Sequence, residues 1–91
     1  MSFINDLEGI IDQRLHSKDP NSYVYTLLEK GLDRILKKIG EEAGEVIIAA
    51  KNNDPVELKN EAADLLFHLL LVLKHQGLSF EDVLSVLKER S

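Results

Sequence analysis

The sequence predicts an all-α helical bundle, read as one domain over residues 1–91. Apolar residues recur at helical spacing along nearly the whole chain, and the breaks between these runs contain proline, glycine or helix-capping residues. No strand-like alternation, internal repeat or low-complexity tract interrupts the pattern. A chain of this length can bury a modest helical core, and dimerisation would help it bury more apolar surface.

The first two helical segments are separated by a polar turn. A first helix of about four turns is predicted by the apolar residues Phe3, Ile4, Leu7, Ile10, Ile11 and Leu15. The segment 16–21 is polar and contains Pro20, so the chain should turn there. Asn21 or Ser22 can cap a second helical segment, with Tyr23, Val24, Leu27 and Leu28 as its apolar residues. Gly31 weakens helix locally, which indicates a kink or a break.

Two longer helices and a short one follow Gly31. The apolar stripe of the first long helix comprises Leu32, Ile35, Leu36, Ile39, Ala43, Val46, Ile47 and Ala50. Asp54 as N-cap, Pro55 at the first position and Glu57 in a capping box predict the start of the next helix. That helix should run to about Gln76 and stop at Gly77, after which Ser79 caps a last short helix.

The helix before Gly77 is apolar on nearly every side between Leu65 and Leu73. Such a helix must be covered all round, and few other helices are available to cover it. We therefore expect a homodimer.

The charge balance argues against some classes of partner. The formal net charge is −5, with 16 acidic and 11 basic residues, whereas a general nucleic-acid binder needs a basic surface. The stretch 65–73 contains His68 and is far shorter than the roughly 20 residues of a membrane span. The N-terminal residues lack the basic region of a signal peptide. We expect a cytoplasmic protein that interacts with neither membrane nor nucleic acid.

Two pairs of carboxylates, Glu42/Glu45 and Glu61/Asp64, have the i, i+3 spacing that places side chains on one helix face. About three such acidic pairs are expected by chance in a chain this acidic, so their position must decide. The third pair, formed by Asp54 and Glu57, is explained by the capping box.

The positions of the two pairs favour a shared site. Glu42 borders the predicted stripe, which is centred on Leu32, Ile39, Ala43 and Ala50, and Glu45 lies on one flank of it. On the next helix, Glu61, Asp64 and His68 form their own strip. If the two helices pack antiparallel, the four carboxylates converge and would bind a hard divalent cation together with a polyphosphate. Oxygen ligands without cysteine favour Mg²⁺, with Mn²⁺ possible, over Zn²⁺.

Plainer readings of the same residues remain open. The acids could form solvated helix faces of a non-catalytic interaction module, because exposed glutamate is the norm. A lone histidine such as His68 is more often a hydrogen-bonded core residue than a ligand. A di-iron bundle needs Glu-x-x-His on a helix, and neither Glu45 nor Glu61 has histidine three residues on.

The strings Lys37–Val46 and Glu61–Leu70 resemble the phosphoribosyl-ATP pyrophosphatase family. That family belongs to the MazG-related all-α nucleotide pyrophosphatases, which share an ExxE…ExxD signature. Here the signature reads Glu42-x-x-Glu45, fifteen residues, then Glu61-x-x-Asp64. The segments 22–24 and 27–31 also resemble the histidine-pathway branch, and the likeness covers about residues 20–90.

The resemblance implies hydrolysis of phosphoribosyl-ATP to phosphoribosyl-AMP and pyrophosphate, by a magnesium-dependent dimer. By motif position, the metal ligands would be Glu42, Glu45, Glu61 and Asp64. Glu41 and His68 match family positions without an assigned role. Relatives are often fused to the cyclohydrolase of the next step, and we expect this chain to be the stand-alone form. A housekeeping nucleoside triphosphate pyrophosphatase using the same carboxylates is the alternative.

The chemistry suggests roles for further residues. We hypothesise that a carboxylate accepts the proton of the attacking water; the candidates are Glu41, Glu42 and Glu45. Basic residues near the acids should hold the phosphates; the candidates are Lys30, Arg34, Lys37, Lys38 and Lys51. Asn60, next to Glu61, could hydrogen-bond a ribose or a phosphate.

Overall fold

The computed structural model describes residues 2–91, with the backbone alone described for Ser2. Over this range the chain forms five helices and no strand. The helices are α1 (Ser2–Ser17), α2 (Tyr23–Lys30), α3 (Leu32–Lys51), α4 (Pro55–His75) and α5 (Phe80–Arg90). The predicted all-α fold is confirmed. None of these helices is long and apolar enough to cross a membrane.

Local capping chemistry sets the helix boundaries. The Ser22 side chain accepts a hydrogen bond from the Tyr25 amide, and Ser79 and Asp82 form a reciprocal capping box at the start of α5. Gly31 separates α2 from α3 with a φ of 97°. Gly77, with a φ of 76°, ends α4 in a Schellman motif, in which the Leu78 amide donates to the Leu73 carbonyl at 2.8 Å.

The core lies where α1, α2, α3 and α4 meet. Its most buried side chains are Ile11 of α1, Ile35 of α3 and Leu71 of α4, and α2 adds Val24 and Leu27. The most extensive packing is between α3 and α4, which are joined by a three-residue turn and form an antiparallel hairpin.

Polar contacts hold α1 against the C-terminal half of the chain. The Lys74 ammonium lies 2.6 Å from the Asp12 carboxylate. The Phe80 amide, at the first residue of α5, donates to the Glu8 carboxylate at 2.9 Å. A carboxylate from α1 therefore supplements the N-terminal capping of α5.

The inward face of α3 differs from the predicted one. Its buried residues are Ile35, Glu42 and Ala49, spaced seven residues apart, whereas Ala50 is exposed and Leu36 and Ile47 are 47% and 68% exposed. The predicted centre of the stripe was wrong because α3 is apolar over a wide arc, and its inward direction is set by the position of α4. Glu42 consequently lies on the inward line and not at its border.

Candidate metal centre

Three of the four predicted ligands lie together in the groove between α3 and α4. Glu42 and Glu45, one turn apart on α3, and Glu61 of α4 each offer a carboxylate oxygen within 4.8 Å of the other two. The Asp64 side chain is exposed and is not part of this close set. The negative charge of Asp64 nevertheless raises the pKa of Glu61, which is one turn away on α4. We refer to Glu42, Glu45 and Glu61 as the carboxylate cluster.

Two oxygens of the cluster are buried without a hydrogen-bond partner among the described residues. Glu42 is 7% exposed, and its Oε1 lies 3.4 Å from the Lys38 ammonium while its Oε2 has no partner. Glu61 Oε2 is likewise buried and has no hydrogen-bond partner among the described residues. A buried acceptor left unpaired is unfavourable, and a carboxylate more so. Oxygen ligands facing one another are also the donor set that Mg²⁺ prefers, so these residues fit a divalent cation.

The neighbouring acidic groups raise the pKa of Glu61. Hydrogen bonding to Glu45 is the main cause that raises the pKa of Glu61 from 4.5 to about 8. Burial, hydrogen bonding to Glu57 and the negative charges of Glu45 and Asp64 add to it. Carboxylates this close cannot all ionise without a compensating positive charge. A cation bound among these oxygens would supply that charge.

Glu57 is a neighbour of the cluster, although its position in the sequence predicted a capping role. Asp54 does cap α4, since its side chain accepts from the Glu57 amide at 3.0 Å. The return bond of a capping box is not made, because the Asp54 amide donates to the Ala49 carbonyl instead. The Glu57 carboxyl is thus free to act on Glu61, and the predicted capping box is half right. The i, i+4 spacing of Glu57 and Glu61 was the signal in the sequence.

A cavity of about 320 Å³ extends from the cluster towards the α3–α4 turn. Its lining combines acidic, amide and apolar side chains: Glu45, Ile48, Ala49, Asn52, Asp54, Glu57 and Glu61. The cluster is therefore accessible from one side, which a ligand-binding site requires.

A buried histidine lies at the other end of the groove. His68 is 6% exposed, and its Nδ1 lies 2.7 Å from the Asp64 backbone carbonyl. Its Nε2 lies 2.6 Å from the hydroxyl of Tyr23, at the start of α2. The rings of Tyr23 and Phe67 each meet the His68 ring edge-on. His68 is thus hydrogen-bonded and buried, as expected for a core histidine.

The predicted phosphate-binding residues are mostly separate from the cluster. Among the residues described, Lys38 is the one that pairs with a cluster carboxylate. Burial lowers the pKa of Lys38, but Tyr23, a hydrogen bond to Glu42 and the charges of Glu42 and Glu41 together leave it above 10.5. The remaining predicted residues are exposed and their roles stay predictions: Lys30, Arg34, Lys37, Glu41, Lys51 and Asn60.

Comparisons with known proteins all find similarity to proteins of histidine biosynthesis. A family model described as phosphoribosyl-ATP pyrophosphohydrolase matches residues 4–91. The histidine biosynthesis bifunctional protein HisIE of Bacillus subtilis is 55% identical over 87 residues, which are 96% of this chain and 42% of that protein. The corresponding protein of Thermus thermophilus is 56% identical, over 96% of this chain and 41% of its own length.

A shorter relative matches over most of its length. The phosphoribosyl-ATP pyrophosphatase of Streptococcus gordonii is 51% identical, over 92% of this chain and 84% of that protein. The chain thus spans about two fifths of the length of the bifunctional relatives.

Proposed function

This chain belongs to the phosphoribosyl-ATP pyrophosphohydrolase family, and from this premise we propose that it hydrolyses phosphoribosyl-ATP to phosphoribosyl-AMP and pyrophosphate, an early step of histidine biosynthesis. The names of its relatives support this substrate. The observation that carries the proposal is the carboxylate cluster with its two buried, unpartnered oxygens. A purely structural helix pair has no use for such a cluster, because it would destabilise the fold.

We propose that Mg²⁺ is held by Glu42, Glu45 and Glu61, and that Asp64 joins them as the fourth ligand. When bound, the cation supplies positive charge that polarises the phosphate oxygens and neutralises the leaving pyrophosphate. Mn²⁺ would serve similarly, since it accepts the same oxygen ligands. Asp64 is included because it lies one turn from Glu61 and acts on it electrostatically. The α3–α4 hairpin brings Glu42, Glu45 and Glu61 together without a bound ligand.

The acceptor of the water proton is best assigned to Glu45. Its side chain is exposed and lines the cavity beside Glu61. Glu42 is less suitable because it is buried and paired with Lys38, and Glu41 is exposed beyond the cluster. Lys38, at the groove, is the best-supported of the predicted phosphate contacts.

The homodimer and the cytoplasmic location are further parts of the proposal. Support for the homodimer comes from apolar side chains that α3 leaves exposed, namely Leu36, Ile47 and Ile48. Light scattering at several protein concentrations tests it. The cytoplasmic location stays a prediction.

The decisive experiment measures pyrophosphate release from phosphoribosyl-ATP with and without Mg²⁺. We expect turnover that depends on the cation and is abolished by Glu45→Gln and by Asp64→Asn. Glu89→Gln, an exposed change of the same kind on α5, is the control. A panel of ordinary nucleoside triphosphates tests the housekeeping alternative. Full activity of both Glu45→Gln and Asp64→Asn, or faster turnover of the ordinary triphosphates, would contradict the proposal.

A further inference from the structure

The hydrogen bonds of His68 fix where its ring proton lies. A backbone carbonyl can only accept, so the Nδ1 that lies 2.7 Å from the Asp64 carbonyl must carry a hydrogen. Both partners of the ring, a carbonyl and a phenol, are uncharged, and no carboxylate of the described chain bonds to either nitrogen. In the Nδ1–H tautomer that the Asp64 carbonyl requires, Nε2 carries a lone pair and is an acceptor.

The Tyr23 hydroxyl must consequently donate its proton to His68. The short Oη to Nε2 distance of 2.6 Å agrees with such a bond. Burial is the main cause that raises the pKa of Tyr23 above 10.0, and the charges of Glu42, Asp64 and Glu41 add to it while Lys38 opposes it. The phenol therefore keeps its proton at neutral pH. Because that proton points at His68, the phenolic oxygen offers only lone pairs to any other partner.

Tyr23 also occupies a position that a ligand can reach. It is 48% exposed although its hydroxyl is anchored. Glu61, Asp64 and His68 follow one another along α4, and Glu45, Glu42 and Lys38 run opposite them along α3. Tyr23 therefore lies at the Lys38 end of the same groove, and its influence on the pKa of Lys38 agrees with this placement.

We propose that Tyr23 is a ligand-contacting residue whose phenolic oxygen, oriented by His68, accepts a hydrogen bond from a ribose hydroxyl of the bound nucleotide. An oxygen that can only accept would repel phosphate oxygens, which are acceptors too, and so it selects a donor. Ribose hydroxyls are the abundant donors of a nucleotide. The inference rests on the proposed function for the identity of the ligand. His68 acts as a positioning residue.

The first test is independent of activity. Nitrogen NMR of the imidazole rings should show His68 protonated at Nδ1 and not at Nε2. This is the less common tautomer of free histidine, so the result is diagnostic. The Tyr23→Phe variant should change the Nε2 resonance, and Tyr25→Phe should leave it unchanged, since no hydrogen bond to the Tyr25 hydroxyl occurs within residues 2–91. A proton on Nε2 would overturn the inference.

The second test compares ligands. Tyr23→Phe keeps the ring, so we expect the KM for phosphoribosyl-ATP to rise about tenfold, with kcat within about twofold, as for the loss of one hydrogen bond. An analogue that lacks the contacted ribose hydroxyl should bind wild type and Tyr23→Phe equally. Calorimetry should give the same magnesium affinity for both proteins. Tyr25→Phe is the matched control on the same helix.

Other outcomes overturn the inference. If Tyr23→Phe and Tyr25→Phe had the same KM for phosphoribosyl-ATP, the Tyr23 hydroxyl would not contact the ligand. If kcat fell equally with every analogue, the group contacted would be water and not a ribose hydroxyl. An inactive wild-type protein would refute the proposed function alone. The same comparison would then use the affinity for magnesium-ATP and its deoxyribose analogues, where a tenfold loss supports the contact and no loss refutes it.

Discussion

Replacing Glu42 by glutamine should stabilise the protein when no divalent cation is present. Glu42 is 7% exposed, and one of its oxygens has no partner within the described chain. Glutamine has nearly the same shape but no charge, and its amide can donate to the neighbouring carboxylates. The substitution therefore removes a buried charge and turns an unpaired acceptor into a donor.

The magnitude follows from the environment of the side chain. An unsatisfied buried acceptor costs about 1–3 kcal/mol. The ion pair with Lys38, 3.4 Å long and partly exposed, offsets about 0–1 kcal/mol of this gain when it is lost. With the middle of each range, about 2 and about 0.5 kcal/mol, the net expected gain is about 1.5 kcal/mol. For a domain of this size, that raises Tm by roughly 6–12 °C.

Thermal unfolding followed by far-UV circular dichroism is the assay, at one protomer concentration because a dimer would make Tm depend on it. The measurement is made with chelator and again with Mg²⁺. Wild type should gain stability from the cation and Glu42→Gln should gain less. Glu41→Gln, an exposed neighbour with the same charge change, is the control. A Glu42→Gln protein no more stable than Glu41→Gln in chelator would refute the reasoning.

Three other predictions concern pH and capping. Because the pKa of Glu61 is raised from 4.5 to about 8 in the folded chain, its contribution to stability is complete below about pH 4.5 and is lost as the pH rises to about 8. Chemical denaturation in chelator should show this slope, and Glu61→Gln should flatten it. Asp54→Ala should lower the free energy of unfolding by about 1 kcal/mol, because it removes the cap of α4. Glu57→Gln should change it by less than about 0.5 kcal/mol. An equal loss in both variants would show that Glu57 completes a capping box in solution. Glu8→Ala should cost about 1 kcal/mol in the same denaturation assay, since the Phe80 amide loses its acceptor, and an unchanged midpoint would show that this bond contributes nothing.

Most of the fold was predictable because its signals are local. Asp54, Ser79 and Gly77 act within one turn of the helices that they start or end, and the structure has these boundaries where the sequence placed them. The inward direction of α3 was not predictable in this way. It depends on how α4 packs against a helix that is apolar over much of its circumference, so Glu42 was expected at a border and lies on the buried line.

The candidate site was predictable to a similar degree. The helical spacing of Glu42, Glu45 and Glu61 was enough to place them in one groove, given an antiparallel hairpin. The parts that escaped prediction depend on contacts between distant segments. The Tyr23–His68 bond joins residues 45 positions apart, and no periodic pattern reports it. The contact of Glu57 with Glu61 was not predicted for another reason: the capping box already explained why Glu57 follows Asp54 by three residues.

Different helices carry the carboxylates of the site and the apolar side chains that pack around it. The α3–α4 hairpin carries every residue of the carboxylate cluster, whose mutual repulsion opposes its own closure. Apolar packing from α1 and α2, through Ile11, Val24 and Leu27, holds the hairpin closed against this repulsion. Because α2 also carries Tyr23, the helix that supplies part of this packing places a polar group at the end of the groove. Substitutions in the packed face of α2 should therefore weaken ligand binding as well as stability, and substitutions in α5, which adds no fully buried residue, should affect stability alone.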